Sequence, residues 1–215
     1  MADQASLNGL LQWGINNSST QNGETTGQNH DPNRGLNAKA LAELMGGPSD
    51  ADRMRYAMTA IIAPFDQVDL ENKMIAWDNL EQLVEIIDNA NNMESMGLWA
   101  PLIQQLDSPE PGCRKMAAWC LGTAVQNNVK CQEKLLDSGV VPKLAKLVTE
   151  DSDQAVRKKA VSALSSEVRN FQPGLDELEK NLPKNLWASR RGVDAGDMDA
   201  VDEVIQKLRD HAARS

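Results

Sequence analysis

Read for its hydrophobic and polar positions, the chain carries one pattern three times. Ala76, Ala117 and Ala160 are each followed four residues on by leucine (Leu80, Leu121, Leu164) and eight on by valine (Val84, Val125, Val168). Steps of four hold these side chains on one stripe of an α-helix, with small alanine where a neighbouring helix must come close. The pattern extends backwards to a basic residue three before each alanine (Lys73, Arg114, Arg157) and an acid seven before it (Asp69, Glu110, Asp153). The acid stands where the positive end of the helix dipole begins. Its spacing to the basic residue predicts an ion pair one turn apart, worth about 0.2–0.5 kcal/mol.

Shorter helices are predicted between the long ones, over Gly97–Leu106 with Pro101 and over Gly139–Val148 with Pro142. The three alanines stand 41 and 43 residues apart. Short helices opened by Gly and Pro and followed by a long helix, at a period near 40 residues, describe a helical solenoid. No window alternates with the period of two that a strand needs, so no strand is predicted. The fold expected is all-α: an armadillo-like right-handed helical solenoid of about three repeats, with a flexible N-terminal segment and a C-terminal capping helix.

The margins of the repeat divide the chain further. Residues 6–17, SLNGLLQWGINN, form an apolar island, and residues 18–32 are polar, glycine-bearing and aperiodic, as a flexible linker is. Two short amphipathic helices are expected over 33–45 and 49–63, separated by Gly46-Gly47-Pro48, with Ser49 or Asp50 capping the second and Pro64 ending it. Beyond Phe171, Pro173, Pro183, Gly192 and Gly196 interrupt the pattern. A last amphipathic helix, Asp197–Ala212, then places Val201, Val204, Ile205 and Leu208 on one face. The expected division is therefore 1–32, flexible segment with a short apolar motif; 33–172, repeat domain; and 173–215, cap and tail.

Composition narrows the function. With 215 residues, 41% hydrophobic and 25% charged, the chain can bury about 70% of its unfolded surface and needs neither disulfide nor metal. Cys113, Cys120 and Cys131 form no C-x-x-C pair and read as reduced, partly buried thiols. A net charge of −9 argues against nucleic acid and anionic membranes and leaves proteins with basic patches as partners. No apolar run approaches a membrane span and no secretory leader is evident, which points to the cytoplasm.

A search for chemistry returns little. The two histidines, His30 in the linker and His211 near the C-terminus, are poorly placed for general-base work. Nucleotide-binding glycine loops, a nucleophile elbow and calcium loops are all missing from the sequence, so neither an enzyme nor a cofactor or metal site is expected. Trp77, Trp99 and Trp119 fall inside predicted helices and read as core or inter-repeat packing. Leu10, Leu11 and Trp13 lie in the leashed apolar island, which either packs back as a helix or serves as a short linear peptide for a partner's apolar groove. The run Asp88-Asn89-Ala90-Asn91-Asn92 is echoed by Gln126-Asn127-Asn128 and Arg169-Asn170. Asparagine tolerates left-handed backbone and so ends helices, but a run this long also suits polar contact with a partner.

At these same residues the sequence resembles the Fes-type and HspBP-type nucleotide exchange factors of the heat-shock protein 70 chaperones, in a short form like those of fungi. The resemblance rests on Leu10-Leu11-Gln12-Trp13, on Asp69-Leu70-Glu71 with Ala76-x-Asp78-Asn79, and on Leu83 through Asn92. It continues in Leu98-Trp99-x-Pro101-Leu102 and Gly122 through Asn128. It implies an armadillo core that grips the nucleotide-binding domain of a cytosolic chaperone and favours an opened cleft, so that ADP leaves. It also implies partner contacts at Ala90 with Asn89, Asn91, Asn92, Asn127 and Asn128, and a substrate-releasing segment at Leu10, Leu11 and Trp13 that competes for the chaperone's peptide groove. A monomer is expected. The rival reading is an armadillo adaptor for extended peptides. Such adaptors place asparagine four residues after a long-helix tryptophan, whereas here Trp77 is followed by Glu81 and Trp119 by Thr123.

Overall fold

The computed structural model describes residues 47–187 and 192–214. By its contacts the chain divides into residues 1–49 and 50–215, and the architecture below is that of the second unit. Every regular element among the described residues is helical. The elements are α1 (Asp50–Ile62), α2 (Leu70–Val84), α3 (Ile87–Asn92), α4 (Trp99–Gln104) with a 3-10 turn (Gln105–Asp107), and α5 (Pro111–Val125). They continue with α6 (Val129–Asp137), α7 (Val141–Glu150), α8 (Gln154–Val168), α9 (Gln172–Asn181) and α10 (Met198–Ala212).

The three long helices, α2, α5 and α8, are 15 residues each, and the predicted alanine is the seventh residue of every one. Each Ala-Leu-Val stripe is buried: Ala117, Leu121, Ala160, Leu164 and their partner valines are at or near zero exposure. These helices stack in order, α2 on α5 and α5 on α8. At the second junction a side chain on Gly122 would put its Cβ 2.9 Å from the Ala163 Cα, so glycine there is what lets the backbones close.

The predicted acids begin the long helices. Asp69 accepts from the Asn72 N–H at 2.9 Å, and Asp153 from the Ala155 and Val156 N–H groups at 2.8 and 3.0 Å. Glu110 forms no such cap. Pro111 starts α5 there, with one N–H fewer to satisfy.

The basic residues depart from expectation, since none forms an ion pair with the acid one turn earlier. Each reaches instead for the carbonyl end of the preceding helix. Lys73, 1% exposed, donates to the Ala60 and Ile61 carbonyls at 3.1 and 2.6 Å and to that of Ala63, at the end of α1. Arg114 donates to the Ser108 and Pro109 carbonyls at 2.9 and 3.1 Å, and Arg157 to those of Asp151 and Ser152 at 2.8 and 3.2 Å. Carbonyls at and just past a helix C-terminus lack a partner within the helix and draw positive charge. Arg114 also forms a two-bond pair with Asp151, 2.7 and 2.9 Å, which ties α5 to the turn before α8.

Left-handed residues punctuate the repeat. Gly97 and Gly139, at φ +66° and +65°, precede α4 and α7, and Asn127 and Asn170, at +53° and +55°, follow α5 and α8. The first copy differs, because α2 runs out at Val84 and Asp88–Asn92 belongs to the short helix α3. The pattern also continues past residue 172. Pro173, which reads in the sequence as an interruption, lies in the first turn of α9, and α9 answers to α6 and α3. Helix α10, capped by Asp197 on the Ala200 N–H, lies against α8 and α7 and closes the stack. Arg157 grips its end through the Ala212 and Arg214 carbonyls, 3.1 and 2.6 Å.

Candidate functional site

The amide-rich segments lie where the long helices turn into the short ones. Asn89 is half-buried and donates to the Leu83 carbonyl at 3.0 Å and to Asp50 at 3.1 Å. Ala90 is in the core, 2% exposed. Asn91 accepts from the Cys131 thiol at 3.7 Å, while Asn128, 7% exposed, caps α6 by accepting from the Cys131 N–H and donates to its sulfur at 3.2 Å. Asn127 is exposed and held in the left-handed conformation, and Asn92 is exposed. Four of the six candidates thus have work inside the fold, leaving Asn92, Asn127 and part of Asn91 at the surface. Leu10, Leu11 and Trp13 lie outside the described residues.

The same edge carries an apolar component that the sequence reading passed over. Ile86, Ile87 and Val129 are 50, 53 and 55% exposed. Ile87 and Val129 are the first residues of α3 and α6, and so take equivalent places in successive repeats. Their signal was present in the sequence as β-branched residues just outside the Ala-Leu-Val stripe.

Beneath the edge lies a buried acid. Glu167, in the last turn of α8, is fully buried, and neither carboxyl oxygen has a hydrogen-bond partner. Burial pushes its carboxyl up to about 9, so it is neutral at pH 7. Leu83 and Ala124 hold the equivalent places in α2 and α5. Nearby, Gln132 of α6 donates to the carbonyls of Ser166, Glu167 and Arg169 at 3.0, 2.8 and 3.2 Å, stitching one repeat to the end of the next.

The three thiols are free and buried, in keeping with the sequence reading. Burial, reinforced by the charge of Glu81, holds the Cys120 thiol well above its ordinary range, and burial takes Cys131 to about 11. Neither is activated as a nucleophile. Among the described residues no group of three or more potential metal ligands converges.

A stack of repeated three-helix units, presenting a partly apolar, amide-rimmed edge, defines a solenoid binding protein of the armadillo class. The fold agrees with that of a designed armadillo repeat protein solved with the peptide (KR)4: TM-score 0.52 and 22% identity, covering 74% of this chain and 70% of the other. Two family profiles match, "Nucleotide exchange factor Fes1" over residues 7–93 and "SIL1/FES1/HPBP1 C-terminal domain" over 89–178. Among curated relatives, the Hsp70 nucleotide exchange factor FES1 of Coccidioides immitis is 49% identical, covering 95% of this chain and 97% of the relative. That of Gibberella zeae is 47% identical with both chains covered fully, and fes-1 of Neurospora crassa is 50% identical over 83% of this chain and 75% of its own. The chain belongs to the Fes1 family of Hsp70 nucleotide exchange factors.

Proposed function

We propose that this protein is a co-chaperone that binds the nucleotide-binding domain of a cytosolic Hsp70 and accelerates the release of ADP, with no covalent chemistry of its own. The observation that carries the reading is the family match, which spans the N-terminal apolar motif and the stacked helices alike. The physical requirement is differential binding: each tenfold gain in nucleotide release needs about 1.4 kcal/mol of preference for the opened chaperone over the closed one. A stack whose repeats are pinned by Lys73, Arg114, Arg157 and Gln132 is suited to this, because a rigid surface does not adapt to both states.

The partner-facing edge is assigned to Asn91, Asn92 and Asn127, with Ile86, Ile87 and Val129 beside them. Ala90, Asn89 and Asn128 hold that edge in shape from beneath. Leu10, Leu11 and Trp13 form a substrate-like segment that enters the chaperone's peptide groove and expels bound substrate.

Two measurements separate these roles. Release of a labelled ADP from a cytosolic Hsp70 is accelerated by the full chain, and no acceleration at saturating protein overturns the reading. The triple variant Leu10→Ala, Leu11→Ala, Trp13→Ala keeps that acceleration and loses the release of a bound fluorescent peptide.

A further inference from the structure

Away from the amide-rich edge, one tryptophan keeps a substantial exposed face. Trp119 is 36% exposed, whereas Trp77, Trp99 and Trp187 are at 0, 4 and 9%. It is the ninth residue of α5, and the ninth residues of α2 and α8, Asp78 and Ser162, are also exposed. The row therefore faces solvent in every copy, and only the middle copy puts a large aromatic there.

Its surroundings are built rather than accidental. Lys159 of α8 lies across the indole with its Nζ 3.2 Å from the ring centroid, a cation–π contact between successive repeats. Glu81 of α2, 8% exposed, accepts from the Thr123 hydroxyl of α5 at 2.9 Å. Partial burial, and then the charge of Lys115 nearby, hold the Lys159 ammonium below its ordinary range against the opposing pull of Glu81. Lys158 stands next to it on α8, exposed. Lys158 is turned away onto Gln154 at 3.0 Å, so the charge over the indole is that of Lys159, with Lys115 and Glu81 near it.

We propose that Trp119, with Lys159 laid across it and Lys115 beside it, is the anchor of the Hsp70-docking surface, and that it receives an apolar side chain flanked by a carboxylate on the chaperone. The inference rests on the exchange-factor reading and adds a second contact to the amide-rich edge assigned above. Charge complementarity selects the occupant: a carboxylate meets the Lys159 ammonium at a point where water is already partly excluded, and the indole supplies rigid apolar area. Tryptophan in such a setting is the residue type most often found to dominate an interface.

The test uses the full chain with full-length Hsp70, reading both labelled-ADP release and binding across a range of NaCl. Trp119→Ala is expected to raise the half-maximal concentration tenfold or more with an unchanged melting temperature. Lys159→Glu does the same and flattens the salt dependence, while Lys159→Arg retains activity. If the wild-type chain accelerates release and both Trp119→Ala and Lys159→Glu match it at the same half-maximal concentration, the anchor is overturned and the exchange-factor reading stands. A wild-type chain without effect overturns both. Should Trp119→Ala destabilise the fold, Lys159→Glu decides, because its side chain supports no backbone.

Discussion

At the scale of single residues, charge in unusual places does the most. Between pH of about 4.5 and about 9, Glu167 carries a proton in the folded state that it loses on unfolding, because its carboxyl is raised from the first value to the second. The native state therefore binds one proton more than the unfolded state across this window, and stability falls as pH rises through it, by about 1.4 kcal/mol per unit at most. Glu167→Gln is expected to remove that slope, seen as a urea midpoint that shifts less between pH 6 and pH 8.5 than in the wild type. Asp151 has the opposite sign. Burial works against its ionised form, but bonds from Arg114 and the Asp153 N–H, with the charges of Arg114 and Arg157, hold its carboxyl below the ordinary range. Its stabilisation is present above pH 3.8 and is lost as pH falls further.

Ala90 belongs at this scale too. At 2% exposure, Ala90→Arg forces a guanidinium into the core and lowers the melting temperature, so loss of binding in that variant reports on folding as well as contact. Asn92→Ala and Asn127→Gly probe the surface without that penalty, the second because glycine keeps the left-handed φ of +53°.

At the scale of helices, the sequence announced most of what is found. The Ala-Leu-Val stripe predicted α2, α5 and α8, and the acid seven residues before each alanine marked where each begins. Glycine and proline marked α4 and α7, and Asp197 marked α10. Periodicity is a local signal, and these are local facts. The function of Lys73, Arg114 and Arg157 was not legible, because spacing along one helix shows only partners on that helix. Their carbonyl partners belong to the preceding element in space. Trp119 keeps the inter-repeat packing expected of it, under Lys159 of α8, but its partial exposure was not legible, since the stripe shows which positions face inward and not how far an aromatic two residues off it stays outside. Pro173 reads as a break along the sequence, yet proline is at ease in a first helical turn.

The junction of α5 and α8 gives this scale its own prediction. Gly122→Ala adds one methyl at a point 2.9 Å from the Ala163 Cα. Alanine is the better helix former by about 1 kcal/mol. Overpacking against backbone costs about 1–3 kcal/mol and wins. Chemical denaturation should place the variant below the wild type.

For the molecule as a whole, the family match settled what geometry alone left open. The stack and its exposed edge fit many binding proteins, and Trp77, fully buried, cannot serve in a peptide-gripping tryptophan ladder. Removing residues 198–215 is expected to uncover the faces of α7 and α8 that α10 occupies. The readout is increased binding of an apolar dye, together with a lowered melting temperature.

Tight approach at Gly122 also has a consequence in time. Repeats that touch only their neighbours open from the ends inward, each boundary with its own free energy. The α5–α8 boundary is the most extensive among the described helices, with a close approach at Gly122. Amide protons in the middle of those two helices should therefore outlast all others in heavy water, with α1 and α10 exchanging first. The stack can thus stand open at both ends while its waist still keeps the protons it folded with.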